Sequence, residues 1–367
     1  MKDLKPYLER LNNGEALEAV QADFVKDFAD VSAAEIVAGE EALIAEGADP
    51  NQLTRLCDVH SAMFHGDQNE EELPLAKNAT TKGHPLYILS KENDEILKRL
   101  DQVMDTIRNH GDVVDALEQL LPVNDHYDKK DELLLSTLLY HNVTGPSNVM
   151  WNVDGEIRKT LKKLVLSEDK PETIEVIMLV NRMKEMIFKE NRILFPLTEA
   201  HFTKEEWTSI THDMDRFGYA YISERPYVLD DEPKQTNNGF GLSMDDARIT
   251  LPTGSMTLKE LATILDALPL ELTFIDKDNI NRYFSSDSSL FPRPLTALNH
   301  PVFDCHPPKV IPVVKKVIGQ LKSGEKDVVS FTAMKKGHKV HVRYLALRHE
   351  GEYLGVLEAV ERLDDLD

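Results

Sequence analysis

The spacing of apolar residues changes along the chain and divides it into three blocks. The first opens with Leu4, Tyr7, Leu8 and Leu11, then Ala16, Val20, Phe24 and Phe28. Apolar residues three and four apart share one helix face. Asn12, Asn13 and Gly14 break the first pair of helices. Ser32 with Glu35 three residues later is a helix-start signature. A Gly-Ala-Asp-Pro turn at 47–50 precedes a helix begun by Asn51 and carrying Leu53, Leu56, Val59, Met63 and Phe64. The pattern predicts a small helical domain over residues 1–70. Residues 67–83 are polar and read as a linker.

The second block, 80–221, is helical with longer periods. Helices are expected from His84–Pro85 to about 110, from 112 to 141 with a kink or interruption at Pro122, over 154–166, and from after Pro171 to about 201. Asn142, Gly145 and Pro146 read as the break before the third. Thr203-Lys-Glu-Glu is a capping box for a last short helix. Four helices with a cap make a four-helix bundle the economical arrangement. Trp151 and Trp207 are its expected core anchors. Residues 222–254, with Pro226, Pro233, Gly239, Gly241, Pro252 and Gly254, read as an interdomain linker.

The third block, 255–363, switches to the two-residue period of strands. A helix at 258–268 leads into a hairpin, 272–276 and 280–284, that turns at Lys277-Asp278-Asn279. An amphipathic helix over 310–323 precedes three long strands at 327–334, 338–348 and 353–362. This is a mixed α+β domain.

Composition narrows the function classes. With 367 residues the chain is expected to hold two or three domains, and 41% apolar content suffices for real cores. A formal charge of −22 argues against nucleic acid or an anionic membrane surface as the main partner. Residues 1–73 hold 17 acids and 5 bases, whereas 255 onward hold 16 and 15, which marks separate modules. Two cysteines, Cys57 and Cys305, exclude a disulfide scaffold. No signal-peptide pattern and no apolar run of roughly 18 residues is present, so a cytoplasmic location is expected.

Certain motifs resemble known families. Residues 268–276 (Leu-Pro-Leu-Glu-Leu-Thr-Phe-Ile-Asp), Asn281-Arg-Tyr-Phe, Cys305-His-Pro-Pro and the last hairpin resemble a PAS domain. That resemblance implies a sensor whose sheet and helices wrap a small ligand or haem. His84–Pro85, His126–Tyr127, Gly145–Pro146 with Val149-Met-Trp, and Lys189–Glu190 with Ile193-Leu-Phe-Pro resemble a hemerythrin-type bundle, which implies a carboxylate-bridged di-iron site. The segment 56–64 resembles the helical domain of unknown function that precedes these two modules in a bacterial and archaeal family. The implied fold is multidomain: an all-α N-terminal domain and a hemerythrin-like four-helix bundle, followed by an α+β PAS domain.

The hemerythrin pattern uses His-x-x-x-Glu, because residues four apart reach one cluster from one helix face. Here the position four before Glu190 is Met186, and four after His126 is Lys130. Asp131 lies five after His126, ~140° round the helix. His201-x-x-x-Glu205 has the spacing but straddles a helix break. Leu135-Ser136 stands where the family carries Phe-Pro. The candidate bundle ligands are His84, His126, Asp131 and Glu190, with Glu92 and His141 weighed beside them. His126 and His141 are ~22 Å apart along a helix and cannot share a cluster. The bland reading of His84 is a helix-start residue, since Pro85 suits a first helical position. Cys57 and His60 share a helix face, with His65 just beyond, so His60 joins the metal candidates against a reading as packing residues. Cys305 and His306 are candidate axial haem ligands, at most one at a time, against a reading as a turn before a helix.

Three functions follow. The leading expectation is a non-enzymatic sensory or regulatory protein that binds iron, a diatomic gas or haem. It would pair through its PAS domain as a homodimer and signal by contact with a separate protein, since only five residues follow Arg362. The second is a di-iron enzyme or iron-handling protein acting on oxygen or nitric oxide. The third is an interaction scaffold with no cofactor. No Gly-rich phosphate loop, Gly-x-Ser-x-Gly or Cys-x-x-Cys is present.

Overall fold

The computed structural model describes residues 4–28, 75–167, 170–227, 247–285 and 290–364, together with Gly39 and Leu43. It divides into two compact units, Met1–Val228 and Leu229–Asp367.

In the first unit, α1 (Lys5–Asn12) and α2 (Leu17–Phe28) bury Leu8, Leu11, Val20 and Phe24. The Tyr7 and Phe24 rings meet edge-on at 5.0 Å. Of the helices expected over 32–66 only Gly39 and Leu43 are described, and Cys57, His60 and His65 lie outside the described residues.

The bundle begins with α3 (Pro85–Arg108). The His84 side chain caps it by accepting from the Leu86 amide at 3.1 Å, and Pro85 stands in the first turn. Asp112 caps a short α4 (Val113–Glu118). Of the kink or interruption expected at Pro122, the structure has the interruption: Pro122 is the N-cap of α5 (Val123–Lys129). This helix passes through a π-helical turn, Lys130–Leu135, into α6 (Ser136–Tyr140). Next comes α7 (Gly145–Leu166), which starts nine residues earlier than expected. Gly145 and Pro146 open this helix rather than preventing it, because amides of the first helical turn have no intrahelical acceptor and a proline there forfeits no hydrogen bond. Then α8 (Thr173–Lys189) continues through a second π turn, Glu190–Leu194, into α9 (Phe195–His201). Both halves of the Thr203–Glu206 capping box are formed at α10 (Lys204–Asp213).

The core follows from heptad-like stripes. On α3 the stripe is Leu89, Ile96, Leu100 and Val103, and on α7 it is Met150, Ile157, Leu161 and Leu164. On α8 it is Val176, Val180, Met183 and Ile187. All are buried, as is Trp151, whereas Trp207 is half-buried against His84 and Phe202.

The second unit holds a small hairpin, of which β1 (Arg248–Leu251) lies in the stretch expected to be linker and β2 (Gly254–Thr257) starts at its last residue. The turn residues Pro252, Thr253 and Gly254 signal a hairpin as well as a linker, and so short a ladder left no longer pattern to read. After α11 (Leu258–Ala267) come β3 (Glu271–Asp276), β4 (Asn281–Phe284), α12 (Ile311–Ser323), β5 (Val328–Lys335), β6 (His338–His349) and β7 (Glu352–Arg362). The five strands form an antiparallel sheet in the order β4-β3-β7-β6-β5. Ile318 and Leu321 of α12 pack on Ile275, Val302 and Val356. Gly355 stands in β7 at φ +149, where a Cβ would lie 2.1 Å from the Ile275 carbonyl oxygen. Only glycine lets β3 and β7 approach there. Among the described residues no helix is long and apolar enough to cross a membrane.

Candidate functional site

Each of four bundle segments interrupts its apolar stripe with polar residues at one level. On α3 these are Glu92 and Asn93, on α7 Asp154, and on α5 and α8 the π turns begin at Lys130 and Glu190. A π turn adds a residue to the helical circuit and re-aims the side chains that follow; such turns concentrate at functional sites. The result is an ion network with Glu92, Lys130, Asp154 and Glu190 fully buried and His126 1% exposed.

His126 is its centre. Its Nδ1 lies 2.8 Å from Glu92 Oε2 and its Nε2 lies 2.9 Å from Glu190 Oε2. A carboxylate only accepts, so both ring nitrogens carry protons and His126 is an imidazolium. Burial works against that charge, but Glu190 and Glu92 outweigh it and raise the His126 pKa. Glu190 also accepts from Asn93 Nδ2 at 2.8 Å and from Lys130 Nζ at 2.5 Å. Burial opposes its ionisation, yet Lys130 and His126 hold its pKa at about 2. The Lys130 ammonium reaches Asp154 as well, at 2.8 Å. Burial alone would lower the Lys130 pKa, but Asp154 and Glu190 raise it. Lys129 pairs with Glu92 at 2.9 Å and donates to the Gly218 carbonyl at 2.6 Å. There burial wins, and its pKa is lowered.

The sequence candidates separate. Glu190 and His126 come together, with Glu92. His84 does not join them: its Nδ1 caps α3, and its ring lies 4.5 Å from Trp207. Burial lowers its pKa to about 4. Asp131 is buried but pairs at 2.5 Å with Arg158. Burial still pushes its carboxyl well above the usual range, against the pull of Arg158. His141 bonds Glu206 at 3.0 Å. Lys130, Asp154, Asn93 and Arg158 were missed. Their signal was present, since Asp154 falls between Met150 and Ile157 in an otherwise apolar stripe.

In the second unit, Cys305 and His306 turn toward one carbonyl. Cys305 Sγ donates to the Val302 oxygen at 3.2 Å and His306 Nδ1 donates to it at 2.7 Å. A cavity of about 220 Å³ is lined by Leu265, Pro269, Ser285, Val360 and Arg362 among others, and neither Cys305 nor His306 lines it. It is smaller than the ~300–1,000 Å³ usual for a drug-sized ligand, and the expected haem finds no support there. The polar centre of this unit, also missed, is Glu358 on β7. Arg293 donates to it at 2.6 Å, and Tyr344 bonds it. Burial raises the Glu358 pKa, and Arg293 more than reverses this.

Comparison with known proteins fits this architecture. Residues 4–70 match a family of unknown function, DUF438; residues 84–198 match the hemerythrin HHE cation binding domain; residues 261–364 match a PAS domain. The three matches follow one another along the chain, each over its own segment. No curated protein matches it. A crystal structure described as a C-terminal domain from Streptococcus mutans is 34% identical over 33% of this chain and 98% of its own, with a TM-score of 0.31.

The hemerythrin-like module implies a cation, and the donor set here does not fit one. Both ring nitrogens of His126 are taken up by carboxylates, and an ammonium already bridges Glu190 and Asp154. Among the described residues no three His, Cys, Asp or Glu side chains are placed to hold a metal ion.

Proposed function

We propose that this three-module chain is a sensory or regulatory protein without catalytic turnover. The hemerythrin-like and PAS modules support a ligand-reading role. The observation that carries the reading is Lys130, a lysine ammonium at the centre of the bundle where di-iron chemistry would need an ion. A site filled by its own cation activates neither oxygen nor nitric oxide. In this reading the PAS unit receives the signal and the sealed bundle acts as a rigid body. The signal leaves through protein contacts, a second copy of the PAS unit among them. Exposed Val328, Phe331 and Met334 on the edge strand β5 support such a contact.

The test is metal content, oxygen and nitric oxide consumption on the same tag-free sample from iron-replete cells. The expected result is no stoichiometric iron and no consumption. About two irons per chain would overturn the reading and restore the di-iron enzyme.

A further inference from the structure

We infer that β5 pairs antiparallel with the β5 of a second copy of this chain, about a two-fold axis at Phe331. This rests on the reading above, in which the PAS unit meets a second copy, and gives that contact its strand and register. Among the described residues β5 ends the sheet on one side and β4 on the other. The two edges differ. β4 is four residues long, carries Arg282 and pairs with β3 through a register shift. Shortness, charge and irregular pairing all blunt an edge. β5 is eight residues long, and from Val328 to Met334 it holds neither a charge nor a proline. Val328, Phe331 and Met334 on it are 49%, 49% and 68% exposed.

The backbone fixes which registers are open. The Ala346 amide donates to the Asp327 carbonyl at 2.9 Å, so these two residues face each other at a hydrogen-bonded position. Every second residue from Asp327 therefore turns its amide and carbonyl toward β6. Val328, Ser330, Thr332 and Met334 turn theirs away, and all four are exposed. A two-fold axis normal to the sheet keeps each side chain on its own face and sets outward-turned residues opposite one another. Registers then step by two. The register centred on Phe331 sets Val328 opposite Met334, Ser330 opposite Thr332 and Phe331 opposite itself. Each exposed apolar side chain meets another on the same face, and the outward groups exchange about eight hydrogen bonds. The same register sets Asp327, whose side chain is 86% exposed, opposite Lys335 at both ends. Moving the axis to Ser330 or to Thr332 sets Val328 and Met334 opposite threonine, serine or lysine. The match of charge and apolar surface is thus one that β5 makes with itself. Residues from 255 on hold 16 acids and 15 bases, so two such units approach with little net repulsion.

The experiment measures the mass of the full chain by light scattering over a concentration series. The wild type is expected to be a dimer. Thr332→Pro removes an amide that β6 does not use, and proline is tolerated at such an edge position. The dimer then loses two hydrogen bonds, and its dissociation constant is expected to rise about 10-fold or more. Phe331→Lys sets like charges opposite each other on the axis and is expected to give a monomer. Phe331→Cys, in a Cys57→Ser/Cys305→Ser background, is expected to form a disulfide-linked dimer on mild oxidation. Directly opposite residues at a non-hydrogen-bonded position lie ~4.5 Å apart, within disulfide reach. Thr332→Cys in the same background, one residue off the axis, is expected to stay unlinked. A wild-type monomer leaves the edge to some other strand and overturns the inference. So does a dimer that the two edge variants leave unchanged, or equal linkage at Thr332 and Phe331. If Thr332→Pro does not fold, Phe331→Lys and the cysteine pair decide. None of these outcomes bears on metal content, whereas stoichiometric iron in the wild type sinks the proposed function whatever the mass.

Discussion

Both units bury charge inside folds that commonly hold ligands, and they do so differently. The bundle closes six ionisable groups, His126, Glu92, Lys129, Lys130, Asp154 and Glu190, into one dry network, each paired and all but sealed from solvent. Among the described residues of the PAS unit the most buried pair is Arg293–Glu358, and Arg293 remains 23% exposed at its rim. A wholly buried charge depends on its partner, because the alternative is a bare ion in a low dielectric. A rim charge has water as an alternative. The bundle therefore depends on its own ion pairing, whereas the PAS unit has an anchor that solvent can reach.

The sharpest way to break this contrast is to remove one cation from each. Lys130→Met should destabilise the bundle by about 3–5 kcal/mol, because Glu190 and Asp154 stay buried without it. Tryptophan fluorescence in a denaturant titration isolates the effect, since Trp151 and Trp207 both lie in the first unit. Arg293→Met should cost the PAS unit less, about 1–3 kcal/mol, measured by amide hydrogen exchange on β6 and β7. Equal losses would mean that the two interiors are sealed alike.

The fold was legible because the period of apolar residues reports the element, and the period changed where the modules change. The site was half legible. His126 and Glu190 were visible because a hemerythrin-like pattern marks them. Lys130 was visible only as a departure, the wrong residue four after His126. Its meaning needed Asp154, which neighbours it only in space, 24 positions along the chain. The π turns were not legible, since nothing in Lys-Asp-Glu-Leu-Leu-Leu distinguishes a π turn from an α turn by propensity. The ~140° offset of Asp131 from His126 assumed an unbroken α-helix. The structure nevertheless buries Asp131, but against Arg158 on α7 rather than beside His126. Arg293 and Glu358 carried no signal, because a single acid in a strand reads as its solvent face.

A smaller effect tests whether the bundle's periphery shares the character of its centre. Burial lowers the His84 pKa to about 4 from an unfolded value near 6.5. The unfolded chain then binds more protons between those values, so stability falls as pH drops from 6.5 toward 4 and the loss saturates below. Asparagine caps a helix as well as histidine does here, and it does not titrate. His84→Asn should leave the pH 7 urea midpoint nearly unchanged and remove about 1 kcal/mol of the acid-side loss, allowing for solvent screening at this partly exposed position. An identical acid profile in both proteins would move the acid sensitivity to the central network.

The smallest effect should come from the hydroxyl nearest that network. Tyr127 is fully enclosed, with its ring 4.6 Å from Lys130 Nζ and 5.7 Å from the Arg158 guanidinium. Its hydroxyl oxygen has no hydrogen-bond partner among the described residues. The ring then contributes packing and cation–π attraction, and the hydroxyl contributes only the cost of its own desolvation. Tyr127→Phe keeps the ring and removes that cost, so the expected change is within about 1 kcal/mol and toward greater stability. A loss comparable with that of Lys130→Met would mean that the hydroxyl is a member of the ion network. The bundle centre would then be held by hydrogen bonds through Tyr127 as much as by the charge of Lys130.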